Sequence, residues 1–410
     1  MTHTTFNVKP SKSSAMLFCQ IPIEKPEYPT EVALTLSGHT LPYDDSYKYL
    51  GLTLDRSLKW LEHSAIAVKK ATATAHQITR IVHRTRTFSV HCVATLVRTV
   101  LIPRCMYASQ FWHQKVNVID KLNTAIVKPL KRALGLPNST HTLSILTECD
   151  VLTATRYAQL YNVNYMKRAL LHPNINPSTA RVAANATSAA YHESQTGSYQ
   201  SLDRILPKLN SFNSLYDSPA NFKARDGFRR DQVNELRTAH HGSSMRLTLP
   251  TNFAMHSQPH IRNESIPAAQ RRAKFRFDTV SPWREYTKAS VRTPQTAACK
   301  WCDEKTARSV HLLRCPGLTH IRIAHPKLTR LCTAIQYKST YPRHRSINYK
   351  PKLHFCTVQA LLSGHHPLLS DSENAEFMAA SQQLFRSLLH VIESGDKYAV
   401  VNQNPHLSAY

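Results

Sequence analysis

The stretch richest in chemistry is "CKWCDEKTARSVHLLRC", residues 299 to 315. It sets Cys299, Cys302, His311 and Cys315 in the spacing C-x2-C-x8-H-x3-C. Two cysteines separated by two residues can share a tight knuckle, both sulfurs facing one point. A histidine and a cysteine four positions apart face the same way on a helical turn. Three thiols and an imidazole converging in this way suit a tetrahedral Zn2+. No further acid or water-holding residue lies nearby, so the spacing predicts a closed, structural site and not a catalytic one. The bland alternative is three core cysteines and a coincidental histidine.

A second stretch, "LPYDDSYKYLG" at 41 to 51, raises a different chemistry. A tyrosine beside paired aspartates, here Tyr43, Asp44 and Asp45, is how a nucleic-acid polymerase holds its magnesium ions. Such a pair needs an apolar strand on each side to fix both carboxylates near the metals. Pro42 and Ser46 flank this pair, which is turn chemistry. Residues 1 to 23 hold no acid to complete a cluster. The expectation is therefore a turn.

The third group is cationic. In "QRRAKFRFDTVSPWR", Arg271, Arg272, Lys274 and Arg276 are interleaved with Phe275, Phe277 and Trp283. Such a stretch can neutralise phosphates and stack bases. Equally, Phe275 and Phe277 fit one inward face of a strand. The chain as a whole carries 52 Lys and Arg against 26 Asp and Glu, a formal charge of +26 over 410 residues. That excess implies a polyanionic partner, RNA or DNA. A membrane is not expected: no apolar run reaches the ~18 residues of a span, and no signal peptide opens the chain. Neither G-x-x-x-x-G-K-[ST] nor G-x-G-x-x-G occurs, which excludes those nucleotide-binding devices. Of the 9 cysteines, Cys19, Cys92, Cys105 and Cys149 sit among apolar residues. They read as core thiols in a reducing compartment.

These groups need elements to hold them. Residues 5 to 55 read as short strands and turns. From Leu58 the period becomes helical, with Leu61, Ala65, Val68, Ala71, Ala75, Ile78 and Val82 on one face. Lys69, Lys70, Arg80 and Arg84 fall together on another, so this is a basic amphipathic helix. Helices are expected at 89 to 102, 116 to 134 and 153 to 171. The second should stop at Gly135 and be kinked or broken by Pro129. Residues 173 to 230 lack a period and read as a partly mobile connector. A helix from about 371 to 394 opens on a Ser370–Glu373 capping box and ends at Gly395.

In this order the pieces resemble the C-terminal part of reverse transcriptases of non-LTR (LINE-type) retrotransposons. "NVKPSKSSAMLF" at 7 to 18 is similar to the family's N-x-x-K-[ST] element, with Asn7 and Lys12 at its marked positions. "YKYLGLTLDRSLKWLEH" at 47 to 63 resembles the YLG-x-x-[LI]-D…W…H stretch, through Asp55, Trp60 and His63. "VLIPRCMYASQFW" at 100 to 112 resembles the next helix of the thumb, with Ala108 where the family often has glycine. "NELRTAHHGS" at 234 to 243 resembles the L-R-T-G-H element, with Ala239 in place of glycine. The 299 to 315 stretch resembles the family's zinc element.

The resemblance implies a mainly α fold with a small α+β N-terminal piece. Its parts are a palm edge at 1 to 56, a helical thumb-like domain at 57 to 172 and a basic connector at 173 to 290. A CCHC zinc module follows at 291 to 330; the resemblance does not reach 173 to 230 or the C-terminal helical region at 331 to 410, which are read from composition and periodicity alone. Tyr49, Leu50 and Gly51 would form the primer-gripping turn. Lys12 would serve as general acid only in a complete polymerase, where Mg2+ is held by aspartates upstream. The chain thus reads as a polymerase fragment lacking those aspartates, inactive alone, that binds template–primer duplex and element RNA. The missing N-terminal part of the polyprotein would be a further partner. The expected location is the nucleus, with a cytoplasmic ribonucleoprotein phase. The rival readings are a free-standing RNA- or DNA-binding zinc protein derived from such an element, and a zinc protein-interaction module.

Overall fold

The computed structural model describes residues 13–18, 34–36, 38–84, 88–112, 116–172, 174, 224–238, 259–277, 279, 299, 301–302, 309–340 and 355–394. Lys12, Asn7, Cys19, Ala239, Trp283 and Gly395 lie outside the described residues, as does most of 173 to 230. The fold is mainly helical. Two compact units alternate along the chain. One takes Met1–Thr74, Ile102–Ala125 and Ala154–Ala220; the other takes Ala75–Leu101, Ile126–Thr153 and Asn221–Tyr410.

In the first unit, β1 (Thr35–Leu36) pairs with β2 (His39–Thr40), and β3 (Ser46–Tyr49) pairs with β4 (Leu52–Asp55), both antiparallel. Ala15 bridges Tyr43. Tyr49 faces Leu52 across a two-residue loop. Leu50 (φ 47°) and Gly51 (φ 85°) both take positive φ, the type I′ geometry that matches strand twist. After β4, the Asp55 carboxylate accepts from Ser57 Oγ (2.7 Å) and Lys59 N (2.9 Å). Burial raises its pKa, but hydrogen bonds from Ser57 and from the backbone of Lys59, Trp60 and Leu61 outweigh this and hold it below the ordinary value. Asp55 therefore organises the entry to α1 (Leu61–Arg84).

The inward face of α1 begins with His63, Ser64 and Ala67 and continues through Ala71, Ala75, Ile78 and Val82. Leu61 and Ala65, expected on that face, are exposed. The reason is His63. Its Nδ1 accepts from Thr53 N (3.2 Å), and its ring meets Trp112 edge-on at 6.1 Å. That anchorage turns the first helical turns away from Leu61. Tyr107 completes the joint: its hydroxyl donates to Leu50 O (2.7 Å), and its carbonyl accepts from Trp112 Nε1 (3.1 Å).

The helix expected at 89 to 102 is present, with a π-helical stretch inside it, and a separate short helix follows. After α2 (Val90–Leu96) comes a π-helical stretch (Val97–Leu101), then α3 (Ile102–Cys105) and α4 (Ser109–Trp112). Ala108, at φ 57°, separates the last two. The next helix, α5 (Val116–Ala133), runs through Pro129 without breaking. Its stop is as expected: Gly135 is left-handed (φ 62°), and Leu136 N donates to Lys131 O (2.9 Å). Beyond it lie α6 (Thr142–Glu148) and α7 (Ala154–Leu171).

The 173 to 290 segment contains packed helices: α8 (Ala224–Thr238), α9 (Pro259–Asn263) and α10 (Ile266–Arg276). It is thus not connector throughout. Gln232 staples α8 to the end of α6, donating to Val151 O (2.9 Å) and accepting from Thr153 N (3.0 Å). The rest of this unit comprises α11 (Ser309–Arg314), a 3-10 turn (Pro316–Leu318), α12 (Thr319–Ile323), α13 (Pro326–Thr340), α14 (Phe355–Ser363) and α15 (Asp371–Ser394). One apolar core joins Phe275, the 299–318 knuckle and α12 to α15, so position 330 is not a packing boundary. At the start of α15, Glu373 N donates to Ser370 Oγ (3.3 Å), and Ser370 N donates to Glu373 Oε2 (2.8 Å).

Candidate metal centre and candidate nucleic-acid interface

Cys299 and Cys302 flank Trp301 on the knuckle, His311 lies on α11, and Cys315 follows that helix directly. The ligand atoms of all four lie within 4.8 Å of one another. Sγ of Cys315 is 3.7 Å from Sγ of Cys299 and 3.5 Å from Sγ of Cys302; Cys302 Sγ is 3.1 Å from His311 Nε2. A tetrahedron with metal–sulfur bonds of ~2.3 Å has edges of about 3.8 Å. The four donors therefore surround a point at which a metal ion fits. Burial, with crowding by Cys302 and Cys299, pushes the Cys315 thiol up to about 12, a cost that a bound cation would remove. Cys299, Cys315 and His311 are buried, and Cys302 is half-buried.

Gly317 is a residue that the spacing did not single out. A Cβ there would lie 1.9 Å from Trp301 O, so the backbone after Cys315 closes on the knuckle only with glycine. Arg322 Nη1 donates to Cys315 O (2.9 Å) and fixes the carbonyl of the last ligand residue. Among the described residues, this is the group of His, Cys, Asp and Glu side chains gathered closely enough to hold a metal.

Asp44 and Asp45 lie just before β3. Asp44 N donates to Ala15 O (2.9 Å), and Asp45 pairs with Arg56 (3.0 Å). The hairpin tip presents Tyr49 and Leu50, 59% and 74% exposed.

The basic residues divide. Lys69, Lys70, Arg80 and Arg84 are all exposed on α1, within an arc of about 100°. The 271 to 276 group behaves otherwise, and here the expectation needs correction. Arg272 and Arg276 are fully buried and are not available to phosphates. Arg276 Nη2 donates to Glu148 Oε2 (2.6 Å), with Nη1 on Leu362 O (3.1 Å). Arg272 donates to Glu264, to Leu361 O and to Ser381 Oγ, and lies over the Phe385 ring. Arg271 is half-buried against Gln382, and Lys274 is half-buried. Phe275 and Phe277 are buried; they sit at the end of a helix and not on a strand. Ser265 at the N-cap and Pro267 in the first turn were the legible signals.

Glu148 is fully buried. Burial raises its pKa, yet Arg276 and His260, whose Nε2 lies 2.8 Å away, outweigh it and hold the carboxyl at about 2. Burial holds His260 below the ordinary histidine value. Cys105 and Cys149 are buried thiols as expected, whereas Cys92 is exposed beside the Ser89 cap of α2.

Over 144 residues, the chain is 26% identical to the RNA-directed DNA polymerase from mobile element jockey of Drosophila melanogaster. The match covers 34% of this chain and 16% of that polymerase. No protein-family model matches the chain, and no solved structure does. Among the described residues, no helix is long and apolar enough to cross a membrane.

Proposed function

We propose that this chain is a retroelement-derived nucleic-acid-binding protein, corresponding to the hairpin, thumb and zinc parts of a non-LTR reverse transcriptase. The observation that carries this reading is the similarity to the jockey polymerase. In this reading α1 lies along a template–primer duplex, with Lys69, Lys70, Arg80 and Arg84 toward the phosphates. The Tyr49–Leu50–Gly51 tip meets the primer strand. Zn2+ in the knuckle supplies folding energy to the Cys299–Cys315 segment by fixing four donors. Element RNA is a second ligand. Lys12 and Mg2+ have a role only in a complete polymerase.

The test is duplex binding by the chain with Lys69, Lys70, Arg80 and Arg84 all replaced by glutamine. Phosphate contacts carry little base information, and each contributes about 0.9 to the slope of log K against log salt on B-form DNA. The variant should bind far more weakly at low salt and with a flatter slope, at unchanged helicity. Wild-type affinity and slope in that variant would remove α1 from the interface.

A further inference from the structure

The cationic surface does not stop at α1. Lys128 Nζ lies 3.2 Å from His76 Nε2, and Arg132 Nη2 lies 3.0 Å from His83 Nδ1. All four side chains are exposed. Residues 75 to 84 and 126 to 133 contain no Asp or Glu. Among the described residues, no carboxylate forms an ion pair with any of the four. A solvated surface ordinarily intersperses both signs; here, among the described residues, cations stand beside imidazoles with no carboxylate paired to them. Lys and Arg can only donate, so each histidine nitrogen in these contacts accepts. The opposite ring nitrogen then carries the hydrogen. Each rung consequently presents a cation and a second donor, and no acceptor.

We propose that these two rungs, His76 with Lys128 and His83 with Arg132, form a clamp for backbone phosphates of nucleic acid. The inference rests on the reading of α1 as a phosphate-facing helix and adds α5 to it. A phosphodiester offers acceptor oxygens only, so one phosphate can take the cation of a rung while a neighbouring phosphate of the same backbone takes its imidazole N–H. The bland reading is chance proximity on a solvated surface. It gives no reason for two rungs in succession, one turn apart on α5 and two turns apart on α1, without one acid. Lys128 and Arg132 stand at i and i+4, a spacing legible in the sequence once α5 is known to lie beside α1.

The experiment compares full-length chains on a mixed-sequence DNA duplex across salt. Lys128→Gln with Arg132→Gln should flatten the salt slope by about 1.8, so that roughly tenfold less affinity is lost between about 50 and 200 mM salt. The fold should survive, because α5 is held by buried Ile126, Val127 and Leu130; helicity is checked by circular dichroism. His76→Gln with His83→Gln should weaken binding less, and its effect should be non-additive with the first pair. Full additivity would make the rungs independent charges and overturn the clamp. An unchanged slope in the Lys128/Arg132 variant, while the α1 quadruple variant loses its slope, would overturn this inference and leave the proposed function standing. Unchanged slopes in both would overturn both. Polyglutamate binding lost in the Lys128/Arg132 variant at unaltered DNA binding would assign the surface to an acidic protein, against the proposal.

Discussion

Arg276→Gln is the substitution that best separates buried from phosphate-facing cations. Arg276 and Glu148 are each fully buried, and Glu148 has a folded pKa of about 2 against an ordinary 4.5. That depression corresponds to about 3 kcal/mol of favourable interaction with the ionised form. Removing one partner of a buried pair costs about 3–5 kcal/mol, because the other charge stays buried. At roughly 2–4 °C per kcal/mol for a unit of this size, the midpoint of a thermal melt should fall by about 10 °C. Duplex binding, measured well below the melt, should keep its wild-type salt slope. Acid adds a second readout. A depressed carboxyl contributes stability that is complete above pH 4.5 and is lost as pH falls from there toward 2. His260, also depressed, loses stability as pH drops below about 6.5, where the unfolded chain takes up the proton first. Arg276→Gln should therefore flatten the acid side of the stability profile between pH 4.5 and 2, by raising the folded pKa of Glu148. Replacing the pair together, with Glu148→Leu and Arg276→Met, should recover most of the loss. A melt within about 2 °C of wild type, together with a reduced salt slope, would refute the buried assignment.

Three further outcomes are expected. Cys302→Ser should lower zinc below the one ion per chain expected of wild type by elemental analysis, while α1 and α5 stay helical by circular dichroism; equal zinc in both proteins would end the metal assignment. Gly317→Ala should weaken zinc binding by about tenfold or more in competition with a chelator, since the added Cβ meets Trp301 O at 1.9 Å. Ala108→Gly should raise stability in urea by about 0.5–1 kcal/mol, because a left-handed alanine costs about 1–2 kcal/mol and the added freedom of glycine returns only part of that; a loss would mean that the φ of 57° carries no strain.

What was legible in the sequence was what is local. The face of α1 from Ala71 to Val82, the Gly135 stop of α5 and the Ser370–Glu373 box are each set by residues within a few positions of one another. The knuckle was legible too, because its ligands fall within one short window. The burial of Arg272 and Arg276 is not legible locally, because the acid that decides the role of Arg276 stands 128 positions earlier. A window holding Arg, Lys and Phe looks the same whether its cations face phosphates or a buried carboxylate. His63 was visible as a motif residue, but its effect on the first turn of α1 came from Thr53 and Trp112, which no helical period contains. Lys128 and Arg132 do not stand out in the sequence, because their partners lie on another helix.

The separation of Glu148 from Arg276 also has a consequence in time. A ribosome adding ~5–20 residues per second makes Glu148 roughly 6 to 25 s before its guanidinium exists. During that interval the carboxylate has no cation to be buried against, so α6 must remain hydrated. Arg272 has Glu264 made before it, but Leu361 O and Ser381 Oγ, which also accept from it, are made 89 and 109 positions later. A nascent chain halted before α14 would hold both ion pairs but lack the Leu361 and Leu362 carbonyls that accept from Arg272 and Arg276 in the finished protein.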